Sequence, residues 1–304
     1  MIILSLFDGI SCGQIALERA GIKVNKYFAS EIKKHAIKVT QKHYPNTIQL
    51  GDVCKVYYKD GVLYSENGNF KVGKIDVLIG GSPCQNFSCA NWLNPKTAEA
   101  LGFDGSKSSL FWEYKRILEE VKPKYFLLEN VKMKNSDKKK MDELIGVEGI
   151  FINSNLVSFQ NRGRYYWTNI PNVTLPEDRH VNFQDFIDHD EEREREATPN
   201  RTPSRERMWN NGETKVNGKM SCKNITNADK VGCLLVKQDR NPNSGMVANG
   251  DWARYLTRRE LELAQTLPIG YCDGLSYNQT CNVTGDGWTV DVIAHIFKGL
   301  KEVK

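Results

Sequence analysis

Metal-binding and disulfide patterns are scarce in this chain of 304 residues. It has five histidines, and none of its eight cysteines belongs to a Cys-x-x-Cys pair, so the ligand spacing of a structural zinc site is missing and we expect no metal. Eight cysteines spread over this length are not typical of small, disulfide-rich secreted proteins. The cysteine pattern therefore predicts reduced thiols in a cytoplasmic compartment.

Long apolar runs are also missing. None approaches the roughly 20 residues that a helix needs to span a bilayer, so we expect no membrane partner. The opening run Met1–Phe7 has no basic leader and meets Asp8 at once, which favours a first strand over a signal peptide. The Gly-x-Gly-x-x-Gly fingerprint is missing too, which argues against a dinucleotide cofactor.

The overall composition is ordinary, with 40% apolar and 26% charged residues. The length exceeds that of a usual single domain, which predicts one large core with a smaller appended lobe. The net charge of +5 at pH 7 is mild, so it permits a polyanionic partner without requiring one.

From residue 1 to about 170, short apolar runs alternate with helical stretches. Repeated strand–helix units predict an α/β fold in which a parallel sheet carries helices on both faces. Residues 56–72 contain Asp60-Gly61 and Asn67-Gly68, pairs that suit tight turns and predict an inserted hairpin. The predicted strands are Ile2–Phe7, Tyr27–Ile32, Ile48–Val53, Ile75–Gly80, Tyr125–Asn130, Phe151–Phe159 and Arg164–Asn169, and the predicted helices are Gln14–Ala20, one ending near His43, and Leu110–Val121.

The pattern changes after about Pro171, so we expect a first domain over residues 1–171. Residues 172–253 are rich in Asn, Gly, Lys and Ser and predict a loop-rich lobe, in which the charged stretch 188–207 predicts a solvated or mobile segment. Residues 254–304 regain helical periodicity at Thr257–Leu267 and Trp288–Leu300. We expect this return segment to pack on the first domain.

The first predicted strand runs into a glycine-bearing turn, Phe7-Asp8-Gly9-Ile10-Ser11-Cys12, that opens a helix. In α/β sheets such a turn lets the backbone approach a ligand and offers free N–H groups to a carboxylate, which suits an adenosyl cofactor. Glu31 follows the second strand and is placed to accept from ribose hydroxyls, and Asp52 follows the third and is placed to accept from an adenine amino group. By itself this pattern fits many Rossmann-like sheets.

Three further segments carry candidate catalytic side chains. The loop Gly-Gly-Ser-Pro-Cys-Gln-Asn-Phe-Ser (80–88) places Cys84 after a buried strand, where a thiolate nucleophile would be exposed, although a lone cysteine in a turn is as often a small buried side chain. Glu129 ends the fifth strand, where a solvated acid is common. Arg162 and Arg164, at i and i+2, share one face of a predicted strand, and paired arginines usually mark a solvated edge. Their order along the chain favours a common site for an anionic or carbonyl ligand.

These segments resemble the motifs of the DNA cytosine-5 methyltransferase family. The matching sequences are Phe7-Asp8-Gly9, Pro83-Cys84-Gln85-Asn86-Phe87-Ser88, Glu129-Asn130-Val131 and Gln160-x-Arg162-x-Arg164. The resemblance covers residues 1–170 and returns at about 254–300. The opening segment and Gly287-Trp288 look most like the eukaryotic de novo branch, whereas Gln85 matches bacterial and phage enzymes. We expect a stand-alone prokaryotic or phage enzyme. The turn Gly285-Asp286-Gly287 departs from the family's Gly-Asn form.

The resemblance implies a Rossmann-like methyltransferase that moves a methyl group from S-adenosylmethionine to C5 of a flipped-out cytosine in double-stranded DNA. It implies attack of Cys84 on C6, donation from protonated Glu129 to N3, a contact of Arg164 with O2, and a cysteine loop steadied by Arg162. Neither C5 nor C6 is accessible in a stacked base, so the nucleotide must leave the duplex. The implied cofactor-binding residues are Phe7, Asp8, Gly9, Ile10, Ser11, Cys12, Glu31, Ile32, Asp52, Val53, Gly287 and Trp288.

By elimination, residues 172–253 are the candidate target-recognition lobe. Its candidate contacts to phosphate or base are Arg193, Arg195, Arg201, Arg205 and Arg207, each of which is as readily a solvated surface arginine. Two alternatives stay open. A transfer-RNA cytosine-5 methyltransferase shares the core motifs but carries a Cys-Phe-Thr signature that is missing here, and a catalytically silent DNA-binding adaptor would not need Cys84, Glu129 and Arg164 together.

Overall fold

The computed structural model of the protein describes residues 1–82, 109–200, 202, 214–216, 219–238, 242–249 and 252–301. The chain folds into two compact units, each made of separate stretches of sequence. The first comprises residues 1–152, 163–174 and 294–304, and the second comprises residues 153–162 and 175–293. This division groups residues 254–293 with the second unit, whereas the sequence analysis expects a separate return segment, residues 254–304, that packs on the first domain. The function assigned to each region stays a prediction.

The first unit is built on a seven-stranded sheet with the order β3-β2-β1-β7-β8-β10-β9. The pairs β1–β2, β2–β3, β1–β7 and β7–β8 are parallel, and β10 runs antiparallel to β8. The predicted α/β class is therefore confirmed, with one antiparallel strand added to a mainly parallel sheet. The strands are β1 (Ile2–Leu6), β2 (Lys26–Ser30), β3 (Ile48–Gln49), β7 (Val77–Gly81), β8 (Tyr125–Val131), β9 (Ile150–Asn153) and β10 (Gly163–Thr168).

Helices of the first unit follow the strands in the predicted alternation. They are α1 (Cys12–Arg19), α2 (Lys34–His43), α3 (Ser109–Val121) and α4 (Asn135–Ile145). The core contains Leu4, Phe28, Leu78 and Leu128 from the strands, together with Ile117 from α3. These buried strand residues read as continuous apolar runs because a parallel strand is covered on both faces.

Gly80 lets α3 lie directly on β7. A Cβ atom at this position would come within 3.0 Å of the Tyr114 ring and 3.1 Å of the Leu6 carbonyl oxygen. Any larger residue would therefore push α3 away from the strand that leads toward Cys84. This glycine is required by close packing rather than by a special backbone conformation.

The inserted hairpin is confirmed and extends to three strands, β4 (Tyr57–Lys59), β5 (Val62–Ser65) and β6 (Gly68–Lys71). Its first turn has positive φ at both Asp60 and Gly61, as the sequence predicted for a tight turn.

Two predicted strands are shorter than expected. The third ends at Gln49, and the Asp52 side chain then accepts from the Cys54 N–H to start a short turn. The predicted strand Phe151–Phe159 is wrong beyond Asn153, whose side chain accepts from the N–H groups of Asn155 and Arg162 and so turns the chain. In both places a short polar side chain competes with the strand for backbone donors.

The second unit combines short strands with helices. They are α5 (Glu191–Ala197), β11 (Thr214–Val216), β12 (Lys219–Cys222), β13 (Val247–Asn249), β14 (Trp252–Arg254), α6 (Arg258–Ala264), α7 (Tyr277–Asp286) and α8 (Val290–Phe297), the last of which ends in residues of the first unit. An apolar cluster includes Phe159, Phe183, Leu256 and Leu261.

Part of the charged stretch 188–207 is ordered by ion pairs rather than solvated throughout. Arg193 donates to Asp188 at 2.7 Å, and the fully buried Arg254 donates to the Glu194 carboxylate at 3.2 Å and to the Asp188 carbonyl at 3.0 Å. Burial opposes ionisation of Asp188, but hydrogen bonds from Arg193 and Thr257 outweigh it and lower its pKa to about 2. Arg195 is exposed, and Arg201, Arg205 and Arg207 lie outside the described residues.

Among the helices that the structure describes, none combines the length and the apolar character that crossing a bilayer requires. The five cysteines whose side chains are described, Cys12, Cys54, Cys233, Cys272 and Cys281, carry thiols rather than disulfides.

Candidate active site

The end of β7 lies beside Glu129 at one edge of the sheet. Gly81, the last residue of β7, pairs in register with Glu129 of β8. The next residue, Ser82, is buried, and the Asn130 side-chain amide donates to its hydroxyl at 3.2 Å and to its carbonyl at 3.4 Å. The chain thus leaves the sheet at a fixed point beside the acid. Cys84 and the rest of its motif lie outside the described residues.

Glu129 and Arg164 form an ion pair at the same edge. The Arg164 Nε lies 2.9 Å from the Glu129 Oε1, and their side chains are only 12% and 11% exposed. Glu129 lies opposite Tyr166 and Arg164 opposite Val131, so the two side chains are diagonal neighbours on one face of the β8–β10 pair. A second guanidinium nitrogen donates to the Gly163 carbonyl at 2.9 Å. The pair presents hydrogen-bonding groups of opposite charge in a site with little water.

Arg162 does not share a strand face with Arg164. Strand β10 begins at Gly163, and Arg162 belongs to the second unit, where its side chain is 4% exposed. Its guanidinium donates to three carbonyl oxygens, those of Leu234, Gly285 and Gly287. The sequence-based placement of both arginines on one strand face is therefore wrong. The Arg162 N–H donates to the Asn153 side chain, and the strand begins one residue later.

The turn after β1 has an unusual backbone. Phe7, Gly9 and Ser11 have φ values of 59°, 60° and 57°, the left-handed region that costs energy for residues other than glycine. Asp8 accepts hydrogen bonds from the Ser11 hydroxyl and, at 2.7 Å, from the Tyr27 hydroxyl. Burial raises the pKa of Asp8 to about 6 although these bonds favour the ionised form.

Glu31 is held by backbone donors from two segments. Its carboxylate accepts from the N–H groups of Gly9 at 2.8 Å, Ile32 at 2.7 Å and Lys33 at 2.9 Å. The Ile32 side chain beside it is 69% exposed, which is unusual for a large aliphatic residue. Glu31 thus joins the turn after β1 to the end of β2, next to an exposed apolar side chain.

The structure brings ten of the predicted cofactor residues to the ends of three adjacent strands. Phe7, Asp8, Gly9, Ile10, Ser11 and Cys12 follow β1, Glu31 and Ile32 follow β2, and Asp52 and Val53 come after β3. The other two, Gly287 and Trp288, belong to the second unit.

The sequence analysis gives no role to several polar residues at these sites. Tyr27, the partner of Asp8, is there only the first residue of a predicted strand. Gln160 and Gln265 are fully buried and hydrogen-bonded to each other at 3.3 Å. Gln160 belongs to the matched arginine motif but carries no predicted role, and Gln265 has no signal in the sequence. Among the described residues, no group of three or more His, Cys, Asp or Glu side chains has the geometry of a metal site.

Substitution of Arg164 by methionine should destabilise the first unit, because Glu129 would be left buried without its cation. We expect a loss on the order of 2–4 kcal/mol in the free energy of unfolding, measured by urea denaturation. Glu129→Gln should cost less, since the amide oxygen can still accept from Arg164. Equal stability of Arg164→Met and the wild type would show that the pair is not needed for folding.

Comparison with protein families and solved structures places this site in context. Residues 1–146 match the family described as C-5 cytosine-specific DNA methylase, a stretch that contains Cys84 and Glu129 but not Arg162 and Arg164. The orphan methyltransferase M.Rho11sI of Bacillus phage rho11s is 35% identical over 139 residues, or 45% of this chain and 24% of that protein. The type II methyltransferase M1.ScrFI of Lactococcus lactis subsp. cremoris is 38% identical over 136 residues, or 44% of this chain and 30% of that protein. The match thus spans less than a third of the length of either curated relative.

Solved structures match over the whole chain. The Entamoeba histolytica methyltransferase EhMeth gives a TM-score of 0.74 at 14% identity, covering 100% of this chain and 99% of that one. The S. pombe Dnmt2 methyltransferase gives 0.67 at 15% identity with the same coverage. At these identities the likeness establishes the fold alone, a Rossmann-like α/β fold that this chain shares with the two methyltransferases. The resemblance found in the motifs is thereby confirmed over residues 1–146, which match the C-5 cytosine-specific DNA methylase family.

Proposed function

We propose that the protein transfers a methyl group from S-adenosylmethionine to C5 of a flipped-out cytosine in double-stranded DNA. The observation that carries this proposal is the buried Glu129–Arg164 pair, which lies beside the strand leading toward Cys84. A planar guanidinium and a carboxyl group side by side match the carbonyl O2 and the ring N3 of cytosine. The family match over residues 1–146 supports the same reaction.

In the proposed reaction the Cys84 thiolate adds to C6 of the base. Arg164 donates to O2 and protonated Glu129 delivers a proton to N3, so the negative charge that enters the ring is neutralised as it forms. C5 thereby becomes nucleophilic and takes the methyl group, with S-adenosylhomocysteine as the leaving group. Loss of the C5 proton to a base then restores the C5–C6 double bond and expels the Cys84 thiolate. The N3 proton returns to Glu129, so that the enzyme is again in its starting state.

The residues at the ends of β1 and β2 fit an adenosyl cofactor. S-adenosylmethionine supplies an electrophilic methyl group on a positively charged sulfur. Each Glu31 oxygen accepts at most two backbone hydrogen bonds, so the carboxylate retains acceptor capacity for ribose hydroxyls. The exposed Ile32 side chain offers an apolar surface for the adenine ring, and Asp8 supplies negative charge toward a cationic ligand.

Exposed lysines lie close in sequence to the proposed catalytic acid. Lys132, Lys134, Lys139 and Lys140 follow Glu129 at the end of β8 and along the start of α4, and all four are exposed. Lysines in this position would neutralise backbone phosphates of a duplex whose target base enters the site.

The reaction is tested directly with labelled S-adenosylmethionine and either duplex DNA or transfer RNA. We expect label in cytosine C5 of DNA and a loss of at least 1,000-fold in Cys84→Ser, because a hydroxyl is a far weaker nucleophile at neutral pH. DNA containing 5-fluorocytosine should form a covalent adduct with the wild type, since fluorine cannot leave C5 as a proton does.

Two outcomes would contradict this proposal. Label found in transfer RNA alone would assign the protein to the RNA substrate. No label in either polymer, with duplex DNA still bound, would favour a silent DNA-binding adaptor.

Binding of S-adenosylmethionine should depend on the ionisation of Asp8. A cationic ligand favours the carboxylate, and with a pKa of about 6 this group becomes protonated as the pH falls from 7 to 5. We expect the dissociation constant to rise about tenfold over that range, measured by calorimetry without DNA. Asp8→Asn should bind weakly with a flat profile. An unchanged pH profile in that variant would exclude Asp8 as the titrating group.

Removal of Lys134 and Lys139 should reduce the salt dependence of DNA binding. Each lysine that neutralises a phosphate contributes about one unit to the slope of log K against log salt, so Lys134→Gln with Lys139→Gln should lower the slope by about two. The matched control is Lys122→Gln with Lys124→Gln, two exposed lysines at the opposite end of β8. An equal change in both pairs would reflect net charge alone.

A further inference from the structure

We propose that Arg162 is a positioning residue for cofactor binding, which together with Gln265 holds the turn Gly287-Trp288 in place. This assignment rests on the proposed function and on the part in cofactor binding that the family resemblance implies for Trp288. It differs from the role implied by the family motif, where Arg162 steadies the cysteine loop. Every contact used in the argument lies within the second unit.

The Arg162 guanidinium is committed to backbone acceptors at the end of α7. Its Nη2 donates to the carbonyl oxygens of Gly285 at 3.1 Å and Gly287 at 2.9 Å. The last carbonyls of a helix have no partner within the helix and carry partial negative charge. A buried guanidinium at this end supplies both the missing hydrogen-bond donors and a compensating positive charge. The residue that follows the second of these carbonyls is Trp288.

The same guanidinium also binds a second segment of the chain, residues 233–235, beside the turn. Its Nη1 donates to the Leu234 carbonyl and to the Cys233 sulfur, both at 3.3 Å. A Cβ on Gly285 would lie 2.4 Å from the Leu235 carbonyl carbon, so the end of α7 is seated against this segment without spare room. The Gly-Asp-Gly turn that departs from the family pattern therefore has a packing reason for its first glycine.

Gln265 holds the turn independently of Arg162. Its buried amide nitrogen donates to the carbonyls of Thr284 at 2.5 Å and Gly287 at 3.1 Å. Its oxygen accepts from the Thr289 hydroxyl at 2.9 Å and from the Gln160 amide at 3.3 Å. The Gly287 carbonyl thus receives two buried donors, one from each side chain.

This geometry makes Trp288 dependent on two residues that need not touch the cofactor. Because buried carbonyls left without donors cost free energy, loss of either side chain should let the turn move toward solvent. Cofactor binding would then require the turn to return to its original position. The affinity for the cofactor would fall by the free-energy cost of that movement. The chemical step, which uses Cys84, Glu129 and Arg164, would be unaffected once the cofactor is saturating.

The test compares Arg162→Met and Arg162→Lys by calorimetric titration with S-adenosylmethionine, followed by kinetics with DNA. We expect the dissociation constant and the KM for the cofactor to rise at least tenfold in Arg162→Met, and less in Arg162→Lys, which keeps the charge. The kcat at saturating cofactor and the yield of the 5-fluorocytosine adduct should stay within about twofold of the wild type.

Gln265→Met separates this role from the cysteine loop, because Gln265 lies outside the catalytic motifs. It should raise the cofactor dissociation constant as Arg162→Met does. The matched control is Gln184→Met, which removes a glutamine that donates to the Ala228 backbone carbonyl in the same unit and makes no contact with the turn. Its cofactor affinity should equal that of the wild type.

Three results would overturn the assignment. A lower kcat and adduct yield in Arg162→Met with unchanged cofactor affinity would place the action of Arg162 at the cysteine loop. Equal weakening of cofactor binding in Gln184→Met and Gln265→Met at a similar Tm would show that the effect is general destabilisation. Failure of the wild-type protein to bind S-adenosylmethionine would contradict both the proposed function and this assignment.

Discussion

Parallel pairing of β1, β2, β7 and β8 is the constraint on which the candidate site depends. Because these strands run in one direction, their carboxyl ends meet at one edge of the sheet, and each strand is followed there by a different turn. The turn after β1 carries Asp8, the end of β2 carries Glu31, and the end of β8 carries Glu129. The acidic groups are therefore collected by topology, although they are far apart in the sequence.

Each acid then receives a different electrostatic environment from its neighbours. Asp8 is half-buried with neutral hydroxyl partners, Glu31 accepts from three backbone N–H groups, and Glu129 faces the Arg164 guanidinium. Burial raises the pKa of Asp8, whereas backbone donors and a guanidinium hold the other two carboxyl groups in place. In the proposed reaction, one sheet edge therefore serves both a cationic cofactor and a reacting base.

The strands of the first unit and most helices were predictable from the sequence because their apolar periodicity is strong, whereas the short strands β11 to β14 were not. The limits of β3 and β9 were not, because Asp52 and Asn153 end them through local hydrogen bonds that periodicity does not register. Helix α4 was missed since its run of lysines resembles a solvated segment. The motif around Glu129 identified the acid, but the contacts of Arg162 depend on residues more than 70 positions away, and no local pattern encodes them.

The second unit is discontinuous in sequence, and this has a consequence for exchanging residues 172–253 between related proteins. Residues 153–162 belong with residues 175–293, and the Gln160 oxygen accepts from the Leu234 N–H at 2.9 Å. A chimera cut only at residues 172 and 253 would join a foreign lobe to a native Gln160 and Arg162. The buried Gln160 oxygen would lose its donor, the Leu234 N–H, and the Arg162 Nη1 would lose its acceptors at residues 233 and 234. A graft that also carries the ten-residue stretch before Gly163 keeps those bonds within a single parent.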